Sequence, residues 1–244
     1  WHERWRQFHR AVLIEAPRVS ERPSAALDTV PAGERLSAAP DTVPALLVRP
    51  PWEAAAALPH EGVREIVIDP GQAFGTGAHA STRLCLELLL ELAAGQAARG
   101  ALLDVGTGSG VLAIAAAGLS FAPVLALDHD SVSVDAARAN AAVNGAAIEV
   151  ARYDLRTQTL PWPAPSELDA SMPSPAPVVL ANLLRPLLLE LAAKLPDAPT
   201  HLIAGGLLAG EVDEVVGAFT ARFELHERRR RRSGEWAAVW LSPA

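Results

Sequence analysis

The 244-residue chain is poor in several residue types, and each scarcity narrows what it can be. It has one cysteine, Cys85, so no internal disulfide can form, and that usage fits a reducing cytoplasm. It has one lysine, Lys194, far from any glycine-rich turn. A phosphate-binding loop needs a Lys and a Ser/Thr directly after its glycines, so that class of site is excluded. No apolar run approaches the length needed to span a bilayer. Basic residues are outnumbered 21 to 28, for a formal net charge of −7, which argues against bulk attraction to nucleic acid or anionic membrane. The opening decapeptide, Trp1 to Arg10, carries charges and aromatics where a secretory signal would carry an apolar core. An initiator methionine is also absent, so the chain is expected to be a fragment or a processed form. What is plentiful is apolar residue, 50% of the chain, enough for one good-sized domain or one domain with a small appendage.

The most informative stretch is Leu102 to Ala117, LLDVGTGSGVLAIAAA. It reads as a short apolar strand, a tight turn with Gly106, Gly108 and Gly110, and an alanine-rich helix. Gly106 lets the chain leave the strand through positive φ. Gly108 keeps a side chain away where a ligand would press on the backbone, and Gly110 lets the helix start close against the sheet. The N–H groups at that helix start are expected to be unpaired and to face an anion or a polar ligand tail. A dinucleotide turn wants Gly-x-Gly-x-x-Gly, and here the third glycine comes one residue early. The form Asp104-Val-Gly-Thr-Gly-Ser-Gly110 is similar to the first motif of S-adenosylmethionine-dependent methyltransferases. The plain alternative is a βα turn with no ligand.

Strands and helices alternate from there. Strands are expected at 102–105, 124–127, 148–151, 178–181 and 201–204, and helices at 111–119, 132–144, 186–195 and 211–219. A closing hairpin is expected at 223–227 and 236–241. This implies a doubly wound parallel α/β sheet with an antiparallel last strand. Ligands of such sheets lie beyond the carboxyl ends of the strands, where Asp104, Gly106, Asp128, Asp154 and Asn182 all fall. Asp128 suits a ribose diol, because a carboxylate accepts two hydrogen bonds; Asp130 or Ser131 is the better cap for the helix that follows. Asp154 either meets an adenine amino group or caps a turn. Asn182 would turn its carbonyl toward a methyl-bearing sulfonium and orient an amine by accepting its N–H.

Upstream, Trp1 to about Val12 reads as a short amphipathic helix, with Trp1, Trp5, Phe8 and Val12 on one face. Pro17 to Pro44 is rich in Pro, Ala and Ser and duplicates Ser24–Ala32 as Ser37–Ala45, consistent with a surface insertion. Leu46–Arg49 and Arg64–Asp69 read as strands. The glycine-dense run Asp69 to His79, with Phe74 in it, suits a cover over a ligand, and Ser81 is placed as the cap of a helix over 82–94. His79 is expected to hold the loop by hydrogen bonds. Five arginines, Arg228 to Arg232, read either as a solvated edge that blocks aggregation or as a contact with ribosomal RNA or an acidic partner.

The loop Asp69–Thr82, the glycine turn, Asp128 and Ala181-Asn-Leu-Leu184 together resemble the bacterial methyltransferase family of large-subunit ribosomal protein eleven, PrmA. The likeness runs from the helix near Trp5, past Pro51-Trp52, to Glu235-Trp236. It implies a class I, Rossmann-like fold with a seven-stranded sheet. It also implies S-adenosylmethionine as cofactor, no metal, and methyl transfer to lysine side-chain or N-terminal amines of a ribosomal protein in the cytoplasm. Thr82, Gly106, Asp128 and Asn182 would contact the cofactor, with Gly108 beneath it and Phe74, Gly75, Thr76 and Gly77 in the pocket wall. Asn182 would also be the catalytic residue. On this reading 1–16 is a linker helix, 17–62 the insertion and lead-in, and 63–244 the methyltransferase domain. The family's small N-terminal capture domain would precede the linker helix, so the chain as given is expected to lack it, and His129 replaces a usual apolar residue. A base methyltransferase is the second reading; it fits less well because Leu183-Leu184-Arg185, with no aromatic, follows Asn182. A non-catalytic module of the same fold is the third.

Overall fold

The computed structural model describes residues 10–15, 43–53, 62–71, 77–95, 99–161 and 177–244. Seven strands form one sheet: β4 (Leu102–Val105), β5 (Val124–Asp128), β6 (Glu149–Arg152), β7 (Val178–Asn182), β8 (His201–Leu208), β9 (His226–Ser233) and β10 (Trp236–Ser242). Their spatial order is β6-β5-β4-β7-β8-β10-β9. The pairs among β4 to β8 are parallel, and β10 runs antiparallel to both β8 and β9. The expected parallel sheet with an antiparallel last strand is therefore present. The order reverses at β4 and β7, and a crevice opens at such a switch point.

Strand alternation divides the core in two. Leu102, Val124, Val178, Leu180 and Ile203 face one side, under α1 (Ala80–Gly95), α2 (Val111–Gly118) and α3 (Ser131–Val143). Leu103, Val105, Leu127, Val179 and Leu202 face the other, under α4 (Arg185–Lys194) and α5 (Val212–Phe223). This is the period-two signature of a sheet covered by helices on both faces.

A second sheet, β1 (Val12–Ile14), β2 (Ala45–Arg49) and β3 (Val63–Val67), packs onto the first core through Ile14, Leu46, Val48 and Ile66. The helix expected to reach Val12 lies mostly outside the described residues. At its described end Val12 instead opens β1, paired with Val48. The duplicated segments likewise fall outside the described residues, apart from Pro44 and Ala45. Helix α1 lies between the two sheets, so far more than its Leu84-Leu88-Leu92 stripe is covered: Leu86, Leu89 and Leu90 are also fully buried. Helix α5 runs one turn beyond the expected end and takes up Phe223, ending where Glu224 turns left-handed at φ 56°; the hairpin begins only at His226. Among the described residues no helix is long and apolar enough to cross a membrane, and no group of three or more His, Cys, Asp or Glu is placed to hold a metal ion.

Candidate functional site

The carboxyl ends of β4, β5 and β7 surround a cleft of about 540 Å³. Thr82, Gly106, Gly108, Asp128 and Asn182 all line it, although they come from four separate stretches of chain. A smaller cavity of about 90 Å³ adjoins it and shares Gly106, Asp128, His129, Leu183 and Leu187. Its walls add Val105, Leu127, Tyr153, Asp154, Leu155 and Arg156, a slot with an apolar floor and charged residues of both signs at the edge. Phe74, Gly75 and Thr76 lie outside the described residues.

The glycine turn has the backbone the sequence demands, with φ of 78° at Gly106 and 86° at Gly110. A Cβ on Gly106 would overlap the Leu183 side chain at the cleft wall. A Cβ on Gly110 would stand 3.2 Å from the Ala137 Cα, so that glycine admits helix α3, not the sheet as expected. The turn's amides are not open: Gly106 and Thr107 donate to the Leu127 carbonyl at 2.8 and 2.9 Å, and Gly110 donates to Thr107 at 2.9 Å. Gly108 donates to Asp128 Oδ2 at 2.9 Å. These four amides of the turn are spent within the chain, while Val111 and Leu112 at the helix start line the cleft.

Asp128 is buried and holds two backbone amides, Gly108 on Oδ2 and Asp130 on Oδ1 at 3.0 Å. Each oxygen keeps further lone-pair capacity toward the cleft. Asp130, not Asp128, caps α3 by accepting from Val132 N–H, as expected. Asp104 lies fully buried behind the turn and accepts from the Thr107 hydroxyl at 2.6 Å. Burial pushes its carboxyl up to about 7; the Thr107 hydrogen bond opposes that and the charge of Asp128 adds to it. Asp154 caps its own turn by accepting from Arg156 N–H, which holds its carboxyl below the usual range, and it also borders the smaller cavity.

Asn182 is not oriented as expected. Its Nδ2 donates to Thr82 Oγ1 at 3.2 Å, while Oδ1 is buried without a partner. That oxygen lies 3.1 Å from where a Cβ on Gly205 would stand, so the missing side chain makes its niche. His79, rather than Ser81, precedes α1: Ser81 N–H donates to His79 Nδ1, and the ring packs edge-on against Trp236 at 4.6 Å. His79 thus holds the loop end, as expected, and does not line the cleft. Gly77 is buried against Val48 of the small sheet. Arg152 and Ser133 line the cleft without having been singled out; Arg152 ends a parallel strand at the same edge as Asp128, a position that would have flagged it. The arginine run forms most of β9, the outermost strand.

Residues 39–242 match the family model described as ribosomal protein L11 methyltransferase (PrmA). The chain belongs to this family. It is similar to the ribosomal protein L11 methyltransferase of Symbiobacterium thermophilum, at 40% identity over 200 residues, covering 80% of this chain and 59% of that protein. It is equally similar to that of Pelobacter propionicus, at 40% over 201 residues, covering 80% and 60%. The chain thus spans about 60% of the length of these curated PrmA relatives. Among solved structures it is similar to a ribosomal protein L11 methylase from Lactobacillus delbrueckii subsp. bulgaricus, at 28% identity and a TM-score of 0.63, covering 81% of this chain and 93% of that one. The fold is the class I methyltransferase α/β fold that the glycine turn and strand order imply.

Proposed function

We propose that this PrmA-family chain transfers methyl groups from S-adenosylmethionine to lysine side-chain or N-terminal amines, with ribosomal protein L11 as substrate. The observation that carries the reading is the convergence of Thr82, Gly106, Asp128 and Asn182 on one cleft at the sheet's switch point. The residues fit the cofactor. A cleft of about 540 Å³ is within the usual range for small-molecule sites. Asp128 would take the ribose hydroxyls, the apolar slot between Leu127, Leu155 and Leu187 would take the adenine, and Gly106 leaves room beside Leu183. The bound cofactor supplies an electrophilic methyl group on a sulfonium.

The chain's own part is positioning. Displacement at a sulfonium needs a neutral amine held in line more than it needs an acid or a base. Asn182 Oδ1 is a buried acceptor with no donor, a state that costs about 1–3 kcal/mol. An amine N–H relieves it when the carboxamide turns from Thr82 toward the cleft. Leu184 stands at the cleft with 65% of its surface exposed and offers an apolar contact for the methylenes of a lysine.

Incubation with methyl-labelled cofactor, ribosomal protein L11 and ribosomal RNA tests the reading. Label in the protein is the expected result. Label confined to RNA would establish base methylation instead, and no transfer by chain that binds the cofactor would leave a non-catalytic module.

A further inference from the structure

Strand β3 is an edge of the small sheet, and its free edge is occupied by side chains from a helix. Ile68 N–H donates inward to the Arg49 carbonyl of β2 at 2.9 Å. The main-chain groups of Val67 and Asp69 therefore point the other way, off the sheet. Two carboxamides from the carboxyl end of α3 meet them. Asn144 Oδ1 accepts from Val67 N–H at 2.8 Å, and its Nδ2 donates to the Val67 carbonyl at 2.7 Å. Asn140 Oδ1 accepts from Asp69 N–H at 3.0 Å, with its Nδ2 3.5 Å from the Asp69 carbonyl. The spacing explains why this works. Four helical residues rise about 6 Å and two strand residues about 6.6 Å, so carboxamides one turn apart copy the ladder of a neighbouring strand.

The two asparagines are not equivalent. Asn144 spends its remaining donor capacity on the Asn140 carbonyl of its own helix. Asn140, only 3% exposed, donates to the carbonyl of Ser109 at 2.8 Å, inside the glycine turn. One buried carboxamide thus ties together the chain at Asp69, the turn at Ser109 and the helix whose start, Asp130 and Ser131, lines the cleft. We infer that Asn140 is a positioning residue for cofactor binding, holding the glycine turn in register with the Asp69 backbone, whereas Asn144 serves the small sheet alone. The inference rests on reading the cleft as the S-adenosylmethionine site.

Three variants of the full chain test it. Asn140→Ala removes both ties. Asn140→Asp keeps the size and the acceptor for Asp69 N–H but loses the donor to Ser109. Asn144→Ala removes the hold on Val67 and the side-chain bond to the Asn140 carbonyl, and leaves the Asn140 carboxamide in place. Calorimetric titration with S-adenosylmethionine should show Kd raised by about tenfold or more in both Asn140 variants and held within about twofold in Asn144→Ala. The Asn140→Asp defect should shrink as pH falls and the carboxyl regains a proton to donate. Amide hydrogen exchange without any ligand should quicken at Gly106, Thr107 and Gly110 in the Asn140 variants only. Wild-type affinity in Asn140→Asp, or an equal loss in Asn144→Ala, would overturn the inference. If the wild-type chain binds no S-adenosylmethionine, the cofactor reading fails and the exchange pattern alone decides the coupling: unchanged protection in the turn defeats it.

Discussion

Two regions draw the eye in this chain, the glycine turn at the switch point and the five-arginine strand at the sheet's far edge, and they deal with polarity in opposite ways. At the edge every guanidinium finds a partner within the chain. Arg229 and Arg231 reach Glu91 and Glu87 on α1, Arg230 reaches Asp213 and Glu227, Arg228 bonds Ser242 and the Pro243 carbonyl, and Arg232 bonds the Ala209 carbonyl. A conspicuous block of charge thus fastens the outermost strand to the helices beside it. At the cleft the amides of the glycine turn are spent within the chain, yet acceptor capacity remains: Asn182 Oδ1 has no donor and Asp128 has lone pairs to spare. Arg231 Nε at the edge is also buried without a partner, but Arg231 lines neither cavity; function is better sought where left-over hydrogen-bonding capacity belongs to a cleft than where charge is dense.

The contrast can be broken by mutation. The largest effect is expected at Asp104. Its carboxyl lies at about 7 in the folded chain against 3.8 for the free group, so the folded state keeps a proton that the unfolded state releases. Stability from this group is full below the unfolded value, is lost as pH rises through that window, and levels off above about 7. Asp104→Asn removes the term, so in urea melts the variant should gain about 3 kcal/mol on the wild type between about pH 5 and about pH 8. Parallel pH profiles would show that Asp104 is charged at no such cost.

Asp128→Ala comes next. It should weaken S-adenosylmethionine binding by about 1–3 kcal/mol in calorimetry, by leaving ribose hydroxyls and the Gly108 amide without an acceptor. Unchanged affinity would remove Asp128 from the site. The smallest effect belongs to the edge. Arg230→Ala breaks partly exposed pairs and should cost about 0.2–1 kcal/mol of stability, with methyl transfer unaltered. Lost transfer at full stability would give the edge a part in substrate handling and dissolve the contrast.

The sheet is legible in the sequence where a short apolar run is closed by a polar residue, as with Val124–Leu127 before Asp128 and Val178–Ala181 before Asn182. Asp128 and the glycines were legible for the same reason. What stayed hidden depends on partners distant in sequence. Nothing in the turn itself says that Leu127 and Asp128 close its amides, or that Gly110 makes room for Ala137. The small sheet that buries the back of α1 is assembled from strands separated by long intervals, so a leucine stripe understates how much of that helix is covered. Asn140 and Asn144 look like ordinary polar residues near a helix end until the free edge of β3 is set beside them.

The most direct test follows the backbone amides of the wild-type chain by NMR while S-adenosylmethionine is added. Saturable shifts are expected at Gly106, Thr107, Gly108 and Asp128, with the amides of Arg228 to Arg232 unmoved. Shifts centred on the arginine strand, or none at the turn of a folded chain, would contradict the reading of the cleft as the cofactor site.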